Sequence, residues 1–308
     1  MRKAVIDVGS NSVLLVVEEY DGRTWHPVFE SSEVSSLGEG TKVSGILGEK
    51  GILQTLEALE RAFKRSEDLG AGTPIAAATM AARMASNTDH FLARAKEQGT
   101  PVFVLSGDDE ANLGFLSVCG DYLFSGIPLI SIIDVGGQST EIVTAKRDGE
   151  AWTTKFRRSY SLGTLALLGG TLHDECPRED AWLQACTEID QVLIENPPSA
   201  PCGVVVVLGA TGTNLVSIRE RLERWDPAMV HGATLEYEEI SKAASWLASL
   251  SVADRASLPG IEPGRERTLP IGALILERCL FALGAESCRV STRGWRHALL
   301  EQGLHKVG

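Results

Sequence analysis

The sequence lacks the features that mark a zinc-binding, membrane-spanning or secreted protein. Its six cysteines never stand at Cys-x-x-Cys spacing and none has a histidine at zinc-ligand spacing, so we expect reduced thiols in the core. The longest apolar runs, such as residues 13–17 and 203–208, are strand-sized and too short to span a bilayer. The first apolar run is broken at Asp7 and Asn11, so we expect no signal peptide and a cytoplasmic protein.

Positive charge is also scarce. The chain has 29 Lys and Arg against 41 Asp and Glu, a formal net charge of -12. Nucleic acids and anionic membranes bind basic surfaces, so we expect neither as a partner. A polyanionic substrate would need a locally positive or metal-loaded site, because the negative field of the whole chain slows its approach.

The chain does contain enough apolar material for two cores. It has 308 residues, of which 44% are hydrophobic and 23% charged, and it has no low-complexity tract. This composition is typical of a globular protein, and the length favours two domains of about 100 to 200 residues each.

One segment of the chain is repeated. Residues 4–25 and 131–152 align without a gap, and nine of the 22 positions are identical. Each copy has an apolar stretch ending in Asp-x-Gly-x-x-Ser, a second apolar stretch, and an Asp-Gly turn that predicts a β-hairpin. The loop places a carboxylate beside backbone N–H groups that can surround a phosphate. Two such units facing each other would form a cleft.

The remaining pattern alternates between helices and strands, which predicts an α/β fold in both halves. Predicted helices cover residues 49–70, 88–98, 178–195, 237–250, 266–283 and 293–301, and predicted strands cover residues 74–78, 101–105 and 203–208.

Two further segments are candidates for chemistry. A Gly-Ala-Thr-Gly-Thr loop starts at Gly209, between a predicted strand and a predicted helix, and such a loop favours anion binding at the helix N-terminus. Ser106 and Asp109 predict a helix cap, with Asp108 and Asp109 complementing the helix dipole. Glu110 follows them and is a candidate base for an attacking water.

Asp134 and Glu141 bracket the second copy of the repeated loop. In the first copy Leu14 stands at the position of Glu141, so the acids are paired only in the second copy. Their spacing suggests carboxylates at the ends of paired strands, where a divalent cation could bind together with phosphate oxygens.

Several motifs, in order, resemble the exopolyphosphatase and guanosine pentaphosphate phosphohydrolase family, Ppx/GppA, over nearly the whole chain. They are Asp7-Val-Gly-Ser-Asn-Ser12, Thr79-x-x-x-Arg83 with Asn87, Ser106-Gly-Asp-Asp-Glu-Ala111, Asp134-Val-Gly-Gly-Gln-Ser-Thr-Glu141, Ser161-Leu-Gly163, Gly209-Ala-Thr-Gly212 and Val290-Ser-x-Arg-Gly294.

The resemblance implies a two-domain actin-like fold of the acetate-kinase, sugar-kinase, Hsp70 and actin type, built from two ribonuclease H-like halves around a central cleft. Domain I would cover residues 1–120 and domain II residues 121–308, with the final helix packing back on domain I. It implies a phosphoanhydride hydrolase that uses Mg²⁺ or Mn²⁺ to release the terminal phosphate of polyphosphate or the 5′ γ-phosphate of pppGpp. Homodimerisation is a further expectation.

The resemblance also implies roles for individual residues. Glu110 would activate water, and Asp7, Asp134 and Glu141 would lie nearest the metal. The expected phosphate-binding residues are Gly9, Ser10, Asn11, Ser12, Arg83, Gly136, Gly137, Gln138, Ser139, Gly209, Thr211, Gly212 and Thr213.

The chain departs from the family pattern at a few positions. Gln138 stands where a third glycine is usual, Asn112 where an arginine is common, and Thr292 where an acid is common; Val34-Ser35-Ser36 lacks the basic residue often found before Leu37. Two other functions therefore stay open: a non-catalytic protein that binds polyphosphate or guanosine penta- and tetraphosphate, and an ATP-dependent small-molecule kinase of the same fold.

Overall fold

The computed structural model describes residues 1–23, 25–149, 151–198 and 201–302. The chain divides into two compact units: residues 1–117 with the last helix form unit 1, and residues 118–294 form unit 2. Among the residues described, every helix is too short or too polar to cross a membrane.

Unit 1 contains most of the first half of the chain. Its elements are β1 (Arg2–Val8), β2 (Ser12–Tyr20), β3 (Trp25–Val34), α1 (Thr41–Ser44), α2 (Glu49–Asp68), β4 (Ile75–Ala78), α3 (Met80–Met84), α4 (Thr88–Glu97), β5 (Phe103–Val104) and α5 (Gly107–Cys119), which crosses the unit boundary.

Unit 2 follows with a short 3₁₀ turn (Tyr122–Phe124) and a second set of strands and helices. Its elements are β6 (Leu129–Val135), β7 (Thr140–Asp148), β8 (Ala151–Tyr160), α6 (Thr164–Leu168), α7 (Glu179–Glu195), β9 (Val204–Leu208), α8 (Ala210–Arg219), α9 (Pro227–Val230), β10 (Thr234–Glu236), α10 (Tyr237–Ser249), α11 (Val252–Ala256), α12 (Leu269–Leu283) and β11 (Ser287–Val290), after which α13 (Trp295–Gln302) belongs to unit 1.

The two sheets share one topology. In unit 1 the strand order is β3-β2-β1-β4-β5, and in unit 2 it is β8-β7-β6-β9-β11-β10, read from the corresponding edge. The first three strands of each sheet are antiparallel to one another. In unit 1 β4 and β5 run parallel to β1, and in unit 2 β9 and β11 run parallel to β6, whereas the edge strand β10 is antiparallel to β11. Each sheet thus has the ribonuclease H-like order, which confirms the predicted α/β fold.

The sequence repeat is reproduced in the strand register. Asp7 lies opposite Leu14 on β1 and β2, and Asp134 lies opposite Glu141 on β6 and β7. A β-bulge lies at the same place in both copies: in β3 opposite Val17 and Glu18, and in β8 opposite Thr144 and Ala145. A bulge inserts one extra residue and reverses the faces of the side chains beyond it.

Both faces of the unit 1 sheet are covered. Ile6 and Leu15 pack against residues of α2 and α4 on one face, whereas Val5 and Val16 pack against residues of α5 and α13 on the other. A strand buried on both faces is apolar throughout rather than alternating, which explains the unbroken apolar run of β2.

Most predicted helices form within a few residues of their expected bounds, and the differences have local causes. The helix predicted over residues 266–283 begins at Leu269, because Pro270 is accommodated only in a first turn. The strand predicted over residues 101–105 shortens to Phe103–Val104, since Pro101 cannot donate to a sheet. Gly70, with φ of 71°, ends α2.

All six cysteines are free thiols, as expected, but they are not all in the core. Cys279 and Cys288 are buried, and burial raises the pKa of both thiols to about 12. Cys176 is exposed, because it lies in an irregular segment between α6 and α7. The prediction of a core thiol is therefore wrong for this residue.

The contact of α13 with unit 1 generates a stability prediction. Leu299 is fully buried in the cluster that contains Val5 and Val16, so Leu299→Ala should lower the free energy of unfolding by about 2 to 5 kcal/mol. Leu183→Ala on the exposed side of α7 is the control and should change it by less than about 0.5 kcal/mol. Urea denaturation measures both, and equal stabilities for the two variants would contradict the packing of α13.

Candidate functional site

The first repeated loop closes a tight turn at the end of β1. The Gly9 N–H donates to the Ser12 carbonyl at 2.9 Å, and a Cβ on Gly9 would lie 3.1 Å from that oxygen. The carbonyls of Ser10 and Asn11 accept backbone N–H groups from residues 35, 36 and 38. These partially negative oxygens are therefore bonded within unit 1, which leaves the turn better suited to an anion.

Asn11 adds a buried donor to this loop. Its side-chain nitrogen Nδ2 is buried and has no hydrogen-bond partner among the described residues. A buried amide donor without a partner costs free energy, which an oxygen-rich ligand would offset by accepting a hydrogen bond. Asp7, at the end of β1, is also buried, and its Oδ1 would lie 3.7 Å from a Cβ on Gly9.

The second repeated loop closes in the same way. The Gly136 N–H donates to the Ser139 carbonyl at 2.9 Å, and a Cβ on Gly136 would lie 2.9 Å from that oxygen. The carbonyls of Gly136 and Gly137 accept the N–H groups of Thr164 and Leu165 at the start of α6. In both units the loop carbonyls thus bond to the segment that follows the hairpin.

Two carboxylates lie beside the second loop. Asp134 and Glu141 are directly opposite each other on β6 and β7, and such pairs project from the same face of a sheet. The Ser159 hydroxyl on β8 donates to Glu141 Oε1 at 2.6 Å and orients that carboxylate. The structure therefore brings together the two acids that the sequence predicted as a pair.

These acids suit a hydrated divalent cation better than an all-protein metal site. In the parts of the chain that the structure describes, no group of three or more His, Cys, Asp or Glu side chains is arranged to hold a metal ion. Mg²⁺ commonly takes one or two carboxylates together with waters and phosphate oxygens. Asp134 and Glu141 provide that number.

The third loop reaches the same place in unit 2 through Gly209. This residue has φ of 80°, and a Cβ on it would lie 3.0 Å from Asp134 Oδ1, so glycine allows the carboxylate to approach the start of α8.

Other residues of the third loop pack within the fold. A Cβ on Gly212 would lie 2.7 Å from the Val207 side chain, and the Thr211 hydroxyl would lie 2.4 Å from a Cβ on Gly272 of α12. Packing contacts within the fold therefore explain why Gly212 and Thr211 occupy these positions. Thr213 donates its hydroxyl hydrogen to the Ala210 carbonyl at 3.2 Å.

In unit 1 the structure pairs Arg83 with Glu110. Arg83 Nη1 donates to Glu110 Oε2 at 2.8 Å and to the Leu105 carbonyl at 2.7 Å, and both side chains are mostly buried. The sequence indicated both residues but not their contact. A guanidinium donates a charge-assisted hydrogen bond to the carboxylate and fixes its direction.

The predicted cap of α5 positions Glu110. The Asp109 N–H donates to the Ser106 hydroxyl oxygen at 3.1 Å, and this hydroxyl donates to Asp109 Oδ2 at 2.6 Å. Ser106 is thus the N-cap, as expected, although the Asp109 carboxylate accepts from the hydroxyl rather than from the Ser106 backbone. Glu110 falls in the first turn, where the helix dipole favours a negative charge.

Sequence reasoning did not identify Ser159 or the role of Gly163. Ser159 is found only through the register of β7 and β8, which includes the bulge. Gly163 belonged to a recognised motif, but only the structure shows that a Cβ there would lie 2.4 Å from the Gln138 nitrogen and the Gly137 carbonyl oxygen.

Comparison with known proteins identifies relatives over the full chain. A sequence model described as the Ppx/GppA phosphatase family matches residues 15–307. Exopolyphosphatase 1 of Mycobacterium tuberculosis is 29% identical over 315 residues, covering 99% of this chain and 88% of that protein.

Solved structures show the same fold. The Aquifex aeolicus member of the Ppx/GppA protein family is 27% identical with a TM-score of 0.79, covering 99% of this chain and 98% of that chain. An exopolyphosphatase from Cytophaga hutchinsonii is 21% identical with a TM-score of 0.86, covering 100% of this chain and 99% of that chain.

The close approach at Gly163 generates a prediction. Gly163→Ala should force the second loop away from α6 and lower the free energy of unfolding by about 1 to 3 kcal/mol, because the added methyl meets backbone atoms that cannot rotate away. Gly169→Ala at the other end of α6 is the control, since its Cβ would be 3.4 Å from the nearest atom. Chemical denaturation compares them, and a harmless Gly163→Ala variant would contradict this packing.

Proposed function

The chain belongs to the Ppx/GppA phosphatase family, and we propose that it hydrolyses the terminal phosphoanhydride bond of inorganic polyphosphate. The observation that carries the proposal is the register pairing of Asp134 with Glu141 beside the turn at residues 136–139. The relatives named exopolyphosphatase support polyphosphate as the substrate. The 5′ γ-phosphate of pppGpp is held by the same kind of bond, and we include it as a second candidate substrate.

Each unit would supply phosphate-binding loops of its own: the first repeated loop in unit 1, and the second repeated loop and the loop at Gly209 in unit 2. Backbone N–H groups and the hydroxyls of Ser12 and Ser139 would be the donors at the two repeated turns, because the loop carbonyls of residues 10, 11, 136 and 137 accept N–H groups of the protein. Preorganised donors stabilise the charge on a phosphoryl group without having to reorient during the reaction. Catalysis of this kind depends mainly on positioning and charge stabilisation.

Glu110 would act as the general base. As a water oxygen bonds to the terminal phosphorus, Glu110 accepts the water proton, and the bridging P–O bond breaks. The leaving group is the shortened polyphosphate, which keeps the bridging oxygen as an anion, and the other product is inorganic phosphate. Arg83 is a positioning residue for this step, since it holds one carboxylate oxygen of Glu110 at 2.8 Å.

Asp134 and Glu141 would hold Mg²⁺ or Mn²⁺. Ser159 orients the Glu141 carboxylate, and Gly209 allows the Asp134 carboxylate to reach the start of α8. When bound, the ion would neutralise negative charge on the phosphate groups. The ion would also provide the local positive charge that a polyanionic substrate needs when it binds a chain with a net negative charge.

The base assignment is tested by Glu110→Gln. This variant keeps the shape and the hydrogen-bonding ability of the side chain but cannot accept the proton, so phosphate release from polyphosphate and from pppGpp should fall by about 10² to 10⁴-fold. Asp108→Asn, an exposed acid in the same helical turn, is the control and should retain activity. Full activity in Glu110→Gln would refute the base, and wild-type protein that binds polyphosphate without releasing phosphate would refute hydrolysis.

The metal assignment is tested on β6 and β7. Asp134→Asn and Glu141→Gln should each weaken Mg²⁺ binding measured by calorimetry by about tenfold or more and reduce Mg²⁺-dependent phosphate release, because one negatively charged ligand is lost. Asp148→Asn at the exposed end of β7 is the control. Unchanged Mg²⁺ affinity in both site variants would show that the ion binds elsewhere.

A further inference from the structure

One strand of this acidic chain has a local excess of positive charge. Strand β8 contains Lys155, Arg157 and Arg158, all exposed, and no acidic residue. Its counterpart in unit 1, β3, contains two glutamates and neither lysine nor arginine. The position that corresponds to Arg157 in the repeat is Glu30, since Val16 pairs with Glu30 and Val143 pairs with Arg157. Of these two corresponding strands, only β8 is basic, and it belongs to unit 2, which also has the carboxylate pair.

The register of β7 and β8 places the two arginines on opposite faces of the sheet. Val143 lies opposite Arg157 and Ile142 lies opposite Arg158. Directly opposite residues share a face, and successive residues alternate. Arg157 is therefore on the face of Glu141, whereas Arg158 is on the other face, with Ile142.

Arg157 is also close to the carboxylate pair along the strand. It precedes by two residues Ser159, whose hydroxyl bonds Glu141 at 2.6 Å, so the Cα atoms of Arg157 and Ser159 are about 7 Å apart. A planar guanidinium binds phosphate oxygens through two parallel hydrogen bonds and stays charged at every physiological pH. The next anionic group of a chain that leaves the carboxylate pair on this face would meet Arg157.

Resting on the proposed function, we propose that Arg157 binds an internal phosphate group of linear polyphosphate while the terminal phosphate lies at the Asp134 and Glu141 site. Arg157 then favours polyphosphate over inorganic phosphate, because a single phosphate at the carboxylate site has no second group that could reach the guanidinium. Exposed cations on an edge strand also prevent pairing with other strands. Arg157 and Arg158 share that role equally. A difference between the substitutions of the two arginines therefore reports on phosphate binding and not on edge protection.

The experiment compares Arg157→Gln and Arg158→Gln with protein in which both arginines are intact. Dissociation constants for inorganic phosphate and for long-chain polyphosphate are measured at low salt with Mg²⁺, which the carboxylate site needs, and every protein also carries Glu110→Gln so that turnover is slow. Arg157→Gln should weaken binding of the long chain by about fivefold, the size expected for one exposed ionic contact, and leave binding of inorganic phosphate unchanged. Arg158→Gln should change neither. Arg157→Lys should recover part of the long-chain affinity, because it restores the charge without the planar fork.

Several results would overturn the inference. They are equal weakening in Arg157→Gln and Arg158→Gln, equal weakening for both ligands in Arg157→Gln, and protein with both arginines intact that binds the long chain no more tightly than inorganic phosphate. Phosphate release from polyphosphate with Mg²⁺, measured on wild-type protein, reports separately on the proposed function. Failure of hydrolysis with the binding difference intact refutes the enzyme, whereas hydrolysis without the difference refutes the role of Arg157.

Discussion

The loops that carry the candidate chemistry depend on one backbone contact, made once in each unit. A glycine N–H bonds the carbonyl of the serine three residues later at 2.9 Å, and that carbonyl occupies the space where a side chain would begin. The contact turns the chain sharply at the end of the first strand, so the second strand returns beside it in a fixed register. The acid two residues before the glycine then lies opposite a residue near the start of the second strand. The pair is Asp7 with Leu14 in unit 1 and Asp134 with Glu141 in unit 2, and its identity determines what the turn can bind.

The sequence predicted the parts of this arrangement that are local or repeated. Both hairpins, the apolar strands and most helices follow from periodicity and from the Asp-Gly turns, and the pairing of Asp134 with Glu141 follows from their symmetric distance around the loop. The sequence did not predict contacts between distant segments. Neither the ion pair of Arg83 with Glu110 nor the contact of Gly163 with the second loop has a local pattern, because both arise from tertiary packing.

The bulge in β7 and β8 shows why register could not be predicted from the turn alone. Counting outward from the pair of Asp148 with Ala151 would place Glu141 opposite Arg158. The bulge opposite residues 144 and 145 adds one residue, so Ser159 lies there and Arg157 takes the face of the carboxylates. A single inserted residue thus exchanges the faces of two adjacent arginines. No side-chain pattern in this part of β8 indicates where the insertion lies.

The return of α13 to unit 1 has a consequence for how the protein is made. Trp295 and Leu299 complete a core with Val5 and Val16, which lie almost 300 positions earlier in the chain. Unit 2 is one continuous stretch, residues 118–294, and can form as soon as that stretch has left the ribosome. Unit 1 must wait until the last helix emerges, with one sheet face covered only by α5. The half synthesised first is therefore the half that finishes folding last.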